Sequence, residues 1–437
     1  TIRETNASGT VVENFGVGSS VTISENRVTI DPTADLSPNT WYYISYPSGC
    51  FTNNEGTDYV GTAYTFQAKA YDYQLFSFGQ NDSGRLGLNN TIQYSSPVQI
   101  PGTTWKDLTD NYTNSTSHFV IKTDGTLWGW GDNSGGRLGQ NNETQYSSPV
   151  QVGSDTNWAS FSGGNYTSMG IKTDGTLWTM GYNAYGGLGQ NEPYSGTTVA
   201  RSSPVQIPGT TWSKVSTEQE GATIAVKTDG TLWAWGNNEY GELGQNNKTR
   251  YSSPTQIPGT DWNGNWIKAG KRTMAVINTD GELWMWGSNT YGVLAQGNRT
   301  RYSSPVQVGS DTTWRSVSLS YTGHAVATKT DGSLWVWGAS NDGTLGLNET
   351  PTLNQNSKSS PVRMGSASNW SAATVAGEKM GGAINTDGEC WVWGQNNRGQ
   401  LGQNSRTYYS SPVQIPGTAW NDISAMKEAT ILQTKSS

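Results

Sequence analysis

Two histidines, His118 and His324, and two cysteines, Cys50 and Cys390, are all the sequence offers of the side chains that most often act as nucleophiles, proton shuttles or soft metal ligands. No His-x-x-x-His, Cys-x-x-Cys or Gly-x-Ser-x-Gly pattern surrounds them, so their spacing builds neither a zinc site nor a nucleophile elbow. Each histidine precedes a strand that runs into an Asp-Gly turn and reads as a strand-edge residue. Cys390 takes the place that Leu127, Leu232 and Leu283 hold in sister segments, which makes it a small core residue rather than a partner for Cys50. The loop Asn81-Asp82-Ser83-Gly84, with its copy Asp132-Asn133-Ser134-Gly135, is rich in oxygen. It lacks the alternating ligands and closing Glu of a calcium loop. Its copy Asn237-Asn238-Glu239-Tyr240 keeps the turn and loses the ligands, so an Asn/Gly turn is the reading. The expectation is a non-enzymatic chain with no catalytic residue, metal or cofactor.

Recognition is the chemistry that remains, and its side chains hang on a repeat. Ser-Ser-Pro recurs at Ser95, Ser147, Ser202, Ser252, Ser303, Ser359 and Ser410. An aromatic-rich segment ends at Gly79, Gly131, Gly181, Gly236, Gly287, Gly338 and Gly394, and a lone Trp follows each proline segment (Trp105, Trp158, Trp212, Trp262, Trp314, Trp370 and Trp420). The spacing of about fifty residues belongs to propellers and arrays, whose units bury an apolar face only by stacking on copies of themselves. Within a unit, a strand follows the lone Trp and a second runs into Asp-Gly, a signal for a two-residue hairpin. A third strand carries the aromatic residues, and a fourth begins after Ser-Ser-Pro. Four antiparallel strands make a propeller blade.

Six Asp-Gly turns serve seven aromatic strands. The first of these, near Leu75, has no preceding hairpin partner, whereas the chain ends on Ala429 to Thr434, which matches a second strand. The C-terminal strands therefore complete the first blade and remove an exposed edge. The phrases Trp130-Gly131-Asp132-Asn133-x-x-Gly136-x-Leu138-Gly139 and Trp235-Gly236-Asn237-Asn238-x-x-Gly241-x-Leu243-Gly244 resemble the repeat of the regulator of chromosome condensation family. The resemblance implies a seven-bladed β-propeller over 70–437. It implies no single function, since that family includes an exchange factor, a photoreceptor and an enzyme inhibitor. The photoreceptor's Gly-Trp-Arg-His-Thr pentad is absent here.

Residues 1–69 carry no repeat word. Alternating strands are expected at Thr10 to Phe15, Ser20 to Ile23 and Arg27 to Ile30. The segment that runs from Ile30-Asp31-Pro32 through Trp41-Tyr42-Tyr43-Ile44, then Pro47-Ser48-Gly49-Cys50-Phe51-Thr52, resembles the immunoglobulin-like domain of bacterial surface-layer and phage surface proteins. That pattern begins earlier than Thr1, so the resemblance implies a partial β-sandwich that takes strands from a missing segment or accepts a donated strand from another chain.

Successive turns of an antiparallel blade alternate between two rims. The Asp-Gly rim is nearly identical from unit to unit; the other varies. Its first loops carry Tyr112, Asn114, Tyr166, Glu218, Glu220, Lys271, Arg272, Tyr321, Glu378 and Lys379, and a lengthened third loop carries Tyr194. These are the candidate binding residues, because Tyr, Arg and charged groups on a variable face are common anchors. The tyrosines that stand before Ser-Ser-Pro recur in register and read as packing on their own loops. The chain's −7 charge, 14% charged residues and lack of a basic run speak against a nucleic-acid partner, and no stretch is apolar enough for a membrane span. The expected role is an extracellular or virion-surface structural protein whose variable rim meets a protein or cell-surface glycan while the sandwich anchors it. The alternative is an intracellular propeller scaffold or a guanine-nucleotide exchange factor for a small GTPase.

Overall fold

A computed structural model describes residues 2–4, 8, 10–14, 21–24, 27–30, 40–48, 50, 63–67, 73–108, 110–111, 115–192, 199–259, 261–262, 266–349, 356–417 and 419–435. They fall into two compact units, Thr1–Asp72 with Ser437, and Tyr73–Ser436.

In the first unit the strands Val11–Glu13, Ile2–Glu4, Trp41–Ser45 and Ala63–Gln67 lie side by side in that order, and Val21–Ser24 pairs with Arg27–Ile30 as a hairpin. Ile2 and Tyr42 are buried while the adjacent Trp41 is exposed, the alternation of a sheet with one covered face. The three expected strands are present within a residue or two. The short strand at Ile2 is too brief to announce itself by alternation.

The second unit is built from sets of four antiparallel strands; Asp110–Asn111 adds a short parallel strand beside Ser162–Gly163, and Tyr73 pairs with Trp105 to link two sets. The set nearest the middle of the chain is Trp158–Gly163, Thr167–Lys172, Leu177–Tyr182 and Ala200–Ile207. Sets of the same plan begin at Trp105, Trp212, Trp266, Trp314 and Trp370. The remaining set joins the chain ends: Trp420–Met426, Ala429–Lys435, Tyr73–Gly79 and Tyr94–Gln99, with Ile431 opposite Ser77. This is the pairing that the unmatched first aromatic strand requires.

Two local readings are corrected. The Asp-Gly turns are not two-residue hairpins. Lys122 N donates to Thr126 O (2.9 Å) and Gly125 N to Lys122 O (2.9 Å), which encloses Thr123, Asp124 and Gly125. Only Gly125 takes a positive φ (77°), whereas a type I′ turn needs two such residues. The Asp contributes its side chain: Asp124 Oδ1 accepts from Thr126 N (3.0 Å) and Thr126 Oγ1 (2.6 Å), and Thr126 Oγ1 accepts from Trp128 Nε1 (2.8 Å).

The second correction is that Ser-Ser-Pro lies inside the fourth strand. Tyr146–Gln151 pairs with the aromatic strand at Val150 and again at Tyr146, and the register slips between them. Ser147-Ser148-Pro149 therefore stands off its own sheet, where an edge strand tolerates a proline.

The displaced serine is the joint between units. Asn89 N donates to Ser147 O (2.8 Å), and the same bond recurs from Asn141 to Ser202, Asn191 to Ser252, Asn246 to Ser303, Gly297 to Ser359 and Asn348 to Ser410. The last unit reaches the first in the same way, Asn404 N to Ser95 O (2.7 Å). A glycine lies flat on each of these serines. A Cβ on Gly241 would stand 2.6 Å from Ser303 Cβ, and one on Gly399 would stand 2.6 Å from Ser95 Cα.

A second joint uses the aromatic strand. The indoles of Trp130, Trp235, Trp286, Trp337 and Trp393 are fully buried and donate to the carbonyls of Arg85, Gly187, Glu242, Val293 and Thr344 in the preceding unit (2.6–3.0 Å). At the junction of chain ends the aromatic is Phe78, which has no N–H. There Thr430 Oγ1 donates to Gln400 O instead (2.8 Å). The core accordingly runs as clusters between adjacent sheets, for example Leu232, Ile257 and Met274 with Trp286.

Candidate partner-binding rim

The first strand of a set touches its counterpart in the next, as Trp158–Gly163 does Trp212–Thr217 and Trp314–Leu319 does Trp370–Ala376. It is therefore innermost, and the loop after it borders the middle of the rim. Among the sequence-derived candidates, Tyr112, Asn114 and Tyr194 lie outside the described residues.

Four of the others meet across units. Arg272 Nη2 and Nε donate to Glu220 Oε1 (2.7 Å) and Oε2 (3.0 Å), a two-pronged ion pair between first loops. Lys271 Nζ sits 3.8 Å above the ring of Tyr321. The rest stand apart from this group. Tyr166 packs edge-on against Tyr182 (6.3 Å between centroids), and Lys379 faces Asp342 (3.5 Å). Glu378 is partly buried, which raises its carboxyl above the usual range, and Glu428 nearby adds to the rise.

Glu218 is not a surface residue. It is fully buried at the root of its loop, where Oε1 accepts from Glu220 N (2.9 Å) and Ala222 N (3.1 Å). Burial pushes its carboxyl up to about 8 against the pull of those two N–H groups. Its role is to shape the loop that carries Glu220.

The third loops supply partners for which the first loops alone gave no signal. Tyr240 lies beneath two guanidinium groups, Arg272 at 4.3 Å and Arg301 at 4.6 Å, and Tyr185 lies beneath Arg250 at 4.3 Å. Asn237 ties the two stacks together. Its Nδ2 donates to Glu220 Oε2 (3.0 Å) and its Oδ1 accepts from Arg250 Nε (3.1 Å). The result is a belt of Tyr185, Arg250, Asn237, Glu220, Arg272, Tyr240 and Arg301 drawn from three consecutive units. A tyrosine recurring four residues after the Gly of successive aromatic strands (Tyr185, Tyr240, Tyr291) was the available sequence signal. Just below the belt, Glu242 is fully buried and its carboxyl is pushed up to about 7, chiefly by desolvation.

The regular tyrosines behave differently. Tyr146 Oη accepts from Asn142 Nδ2 (3.0 Å), and Tyr94, Tyr251 and Tyr302 repeat the bond with Asn90, Asn247 and Asn298. Each bonds within its own loop, as in-register recurrence suggested. The oxygen-rich loop is likewise built inward: Asn81 Oδ1 accepts from Leu86 N (2.9 Å) while its amide donates to Asn90 O and Ile92 O (3.0 Å each). Among the described residues no group of three or more His, Cys, Asp or Glu is placed to hold a metal.

Both histidines stand at the start of the strand that leads into the Asp-Gly turn, and both are buried. His324 Nε2 lies 3.1 Å from Met380 O, and burial lowers its pKa to about 4. His118 packs against Trp130 at 5.5 Å; burial and the Arg85 charge lower its pKa well below the ordinary value. Cys390 is buried, Cys50 exposed, and both are free thiols. No helix among the described residues is long and apolar enough to cross a membrane.

The model of the Regulator of chromosome condensation (RCC1) repeat matches residues 72–109, 124–171, 229–270, 280–326 and 387–426. Similar proteins include the ultraviolet-B receptor UVR8 of Arabidopsis thaliana, 28% identical over 44% of this chain and 43% of its own length. The X-linked retinitis pigmentosa GTPase regulator of Canis lupus familiaris is 28% identical over 34% of this chain and 15% of its own. The human E3 ubiquitin-protein ligase HERC2 is 25% identical over 67% of this chain and 6% of its own. The chain thus spans less than half the length of these curated relatives. Among solved structures, human WBSCR16 superposes with a TM-score of 0.70 at 20% identity, covering 83% of this chain and all of that one. Yeast RCC1 bound to Kap60 does so with 0.70 at 16%, covering 84% and 90%. These likenesses show the fold: an all-β chain of RCC1-like four-stranded sheets.

Proposed function

We propose, from the premise that this chain carries repeats of the regulator of chromosome condensation family, that it is a non-catalytic protein-binding scaffold. Residues 73–436 would form a closed seven-bladed propeller whose variable rim docks a protein partner. The observation that carries the reading is the contrast between rims. On one, the Asp, Thr, Lys and Trp side chains repeat and bond within their own unit. On the other, arginine, tyrosine and glutamate form a belt across three consecutive units, of the residue types that anchor protein interfaces. The names of the relatives, a GTPase regulator and a ubiquitin ligase among them, favour a scaffold over a glycan-binding virion-surface role.

Affinity capture with quantitative mass spectrometry tests this. Arg301→Glu with Lys271→Glu should remove a partner that wild type retains, and Asp229→Lys on the opposite rim should not. A partner lost equally from both variants, or from neither, sinks the reading.

A yeast neighbour was solved in a study of its binding to Gsp1p and histones, which keeps guanine-nucleotide exchange as a second reading. Release of labelled GDP from a small GTPase checks it, and no acceleration at saturating protein rejects it. For residues 1–69 we retain the immunoglobulin-like anchor as a proposal, supported by the alternating burial of Trp41 and Tyr42. Limited proteolysis should then release a stable fragment beginning near Tyr73.

A further inference from the structure

In four units a lysine at the end of the second strand lays its ammonium in a corner made by two tryptophans of that unit. Lys122 Nζ is 4.7 Å from the ring of Trp105 and 4.1 Å from that of Trp128; Lys172 is 5.1 and 3.9 Å from Trp158 and Trp178. Lys227 is 4.8 and 4.4 Å from Trp212 and Trp233, and Lys329 is 4.6 and 4.2 Å from Trp314 and Trp335. A cation over an indole face is held by the ring quadrupole.

The unit of Trp262 keeps the corner and lacks the cation. Trp262 and Trp284 meet edge to face at 5.8 Å and 81°, as Trp212 and Trp233 do at 6.2 Å and 75°. Asn278 occupies the lysine's position: its N donates to Glu282 O (3.0 Å), as Lys227 N donates to Thr231 O (3.0 Å). The threonine's position is now Glu282, whose Oε2 accepts from Trp284 Nε1 (3.1 Å) and Asn278 Nδ2 (2.8 Å). One positive charge is gone and one negative charge has arrived. A cavity of about 500 Å³ opens there, lined by Trp262, Trp284, Asp261, Asp280 and Glu282, and continuing along Ile257 and Pro258. That volume falls in the range of small-molecule sites. The same pair of replacements stands at Asn385 and Glu389, but there Asn369 donates to Asp387 Oδ2 (2.9 Å), engaging one of the carboxylates.

We propose that this cavity binds a lysine-like alkylammonium group supplied from outside the chain, its ammonium in the Trp262–Trp284 corner and its apolar stem along the exposed Pro258. The chain's own sister lysines show the occupant chemistry, and the carboxylates of Asp261, Asp280 and Glu282 supply the counter-charge. The inference stands independently of the proposed rim interface.

The test titrates the whole chain with Nα-acetyl-lysine methylamide, cadaverine and the uncharged acetyl-norleucine methylamide, read by indole ¹⁵N–¹H shifts. The two amines should bind and the uncharged analogue should not. Preference for the blocked lysine points to a peptide ligand, and preference for cadaverine to a free amine; both uphold the site. Asn278→Lys refills the corner from within, as in the sisters, and should keep the fold while weakening amine binding at least about tenfold, near 1.4 kcal/mol. Glu282→Gln gives a second reading in the same direction. Absence of amine binding, equal binding of norleucine, or unchanged binding by folded Asn278→Lys overturns the proposal.

Discussion

At the residue scale, the buried titratable groups make stability depend on pH from two sides. Glu218 is neutral in the fold up to about pH 8, while an ordinary glutamate ionises near 4.5. The raised value means that its proton favours the folded state fully below pH 4.5, and the advantage is lost as pH rises through 8. Glu242, raised to about 7, acts in the same sense. His324 opposes them. Its value is lowered from 6.5 to about 4, so the unfolded chain takes up the proton first and the fold weakens as pH falls from 6.5 to 4. Glu218→Gln keeps an oxygen for the N–H groups of Glu220 and Ala222. It should be near neutral at pH 5 and stabilising by about 4 kcal/mol at pH 8.5. Denaturant melts at both pH values check this; equal effects at the two would show that Glu218 is ionised in the fold. His324→Gln should flatten the acid limb of the same curve by up to about 1.4 kcal/mol per pH unit. The identity of these residues was plain in the sequence, but their burial was not. Glu218 and Glu220 are two residues apart in one loop, and only the packing of neighbouring units makes one a buried brace and the other a surface ion pair.

At the scale of elements, the joint between sheets is steric first and hydrogen-bonded second. Gly241 has φ 88° and lies on Ser303, so Gly241→Ala adds left-handed strain and a clash together. A loss of about 3 kcal/mol is expected. Ser303→Val should be comparably damaging, because the crowding is reciprocal. Trp286→Phe removes the donor to Glu242 O and also leaves a cavity where the larger indole was packed, and should cost about 2–4 kcal/mol. Thermal and chemical melts of the three variants rank them; a Gly241→Ala protein as stable as wild type would refute the steric joint. Ser-Ser-Pro was legible as a repeated word, and its place before an edge strand was nearly right. Its purpose was hidden, because the partner of each serine lies in the preceding unit. The Asp-Gly turns show the same limit. The dipeptide marked the hairpin correctly, while the number of loop residues depended on the Thr that bonds to the Asp and on the Trp that bonds to that Thr.

At the scale of the molecule, the two ends of the second unit share one sheet, through seven registered residue pairs between Ala429–Lys435 and Tyr73–Gly79. Removing Ala429 onward should expose the edge of Tyr73–Gly79, leave Phe78 uncovered and free the carbonyl of Gln400. The truncated chain should lose cooperative unfolding and aggregate, as followed by tryptophan emission and sedimentation. A truncated protein with the wild-type transition would show that the end-to-end pairing is dispensable. The repeat by itself determined the strand plan, the number of equivalent words and the pairing of the ends. Those follow from periodicity and from the need of each apolar face for a neighbour, and both are written along the chain. Which polar side chains meet was decided only in three dimensions. The belt of Glu220, Arg272, Tyr240 and Arg301 and the lysine-free corner at Trp262 and Trp284 are set by contacts between loops and strands that lie tens of residues apart in sequence, and a residue's own neighbours in sequence carry no record of that.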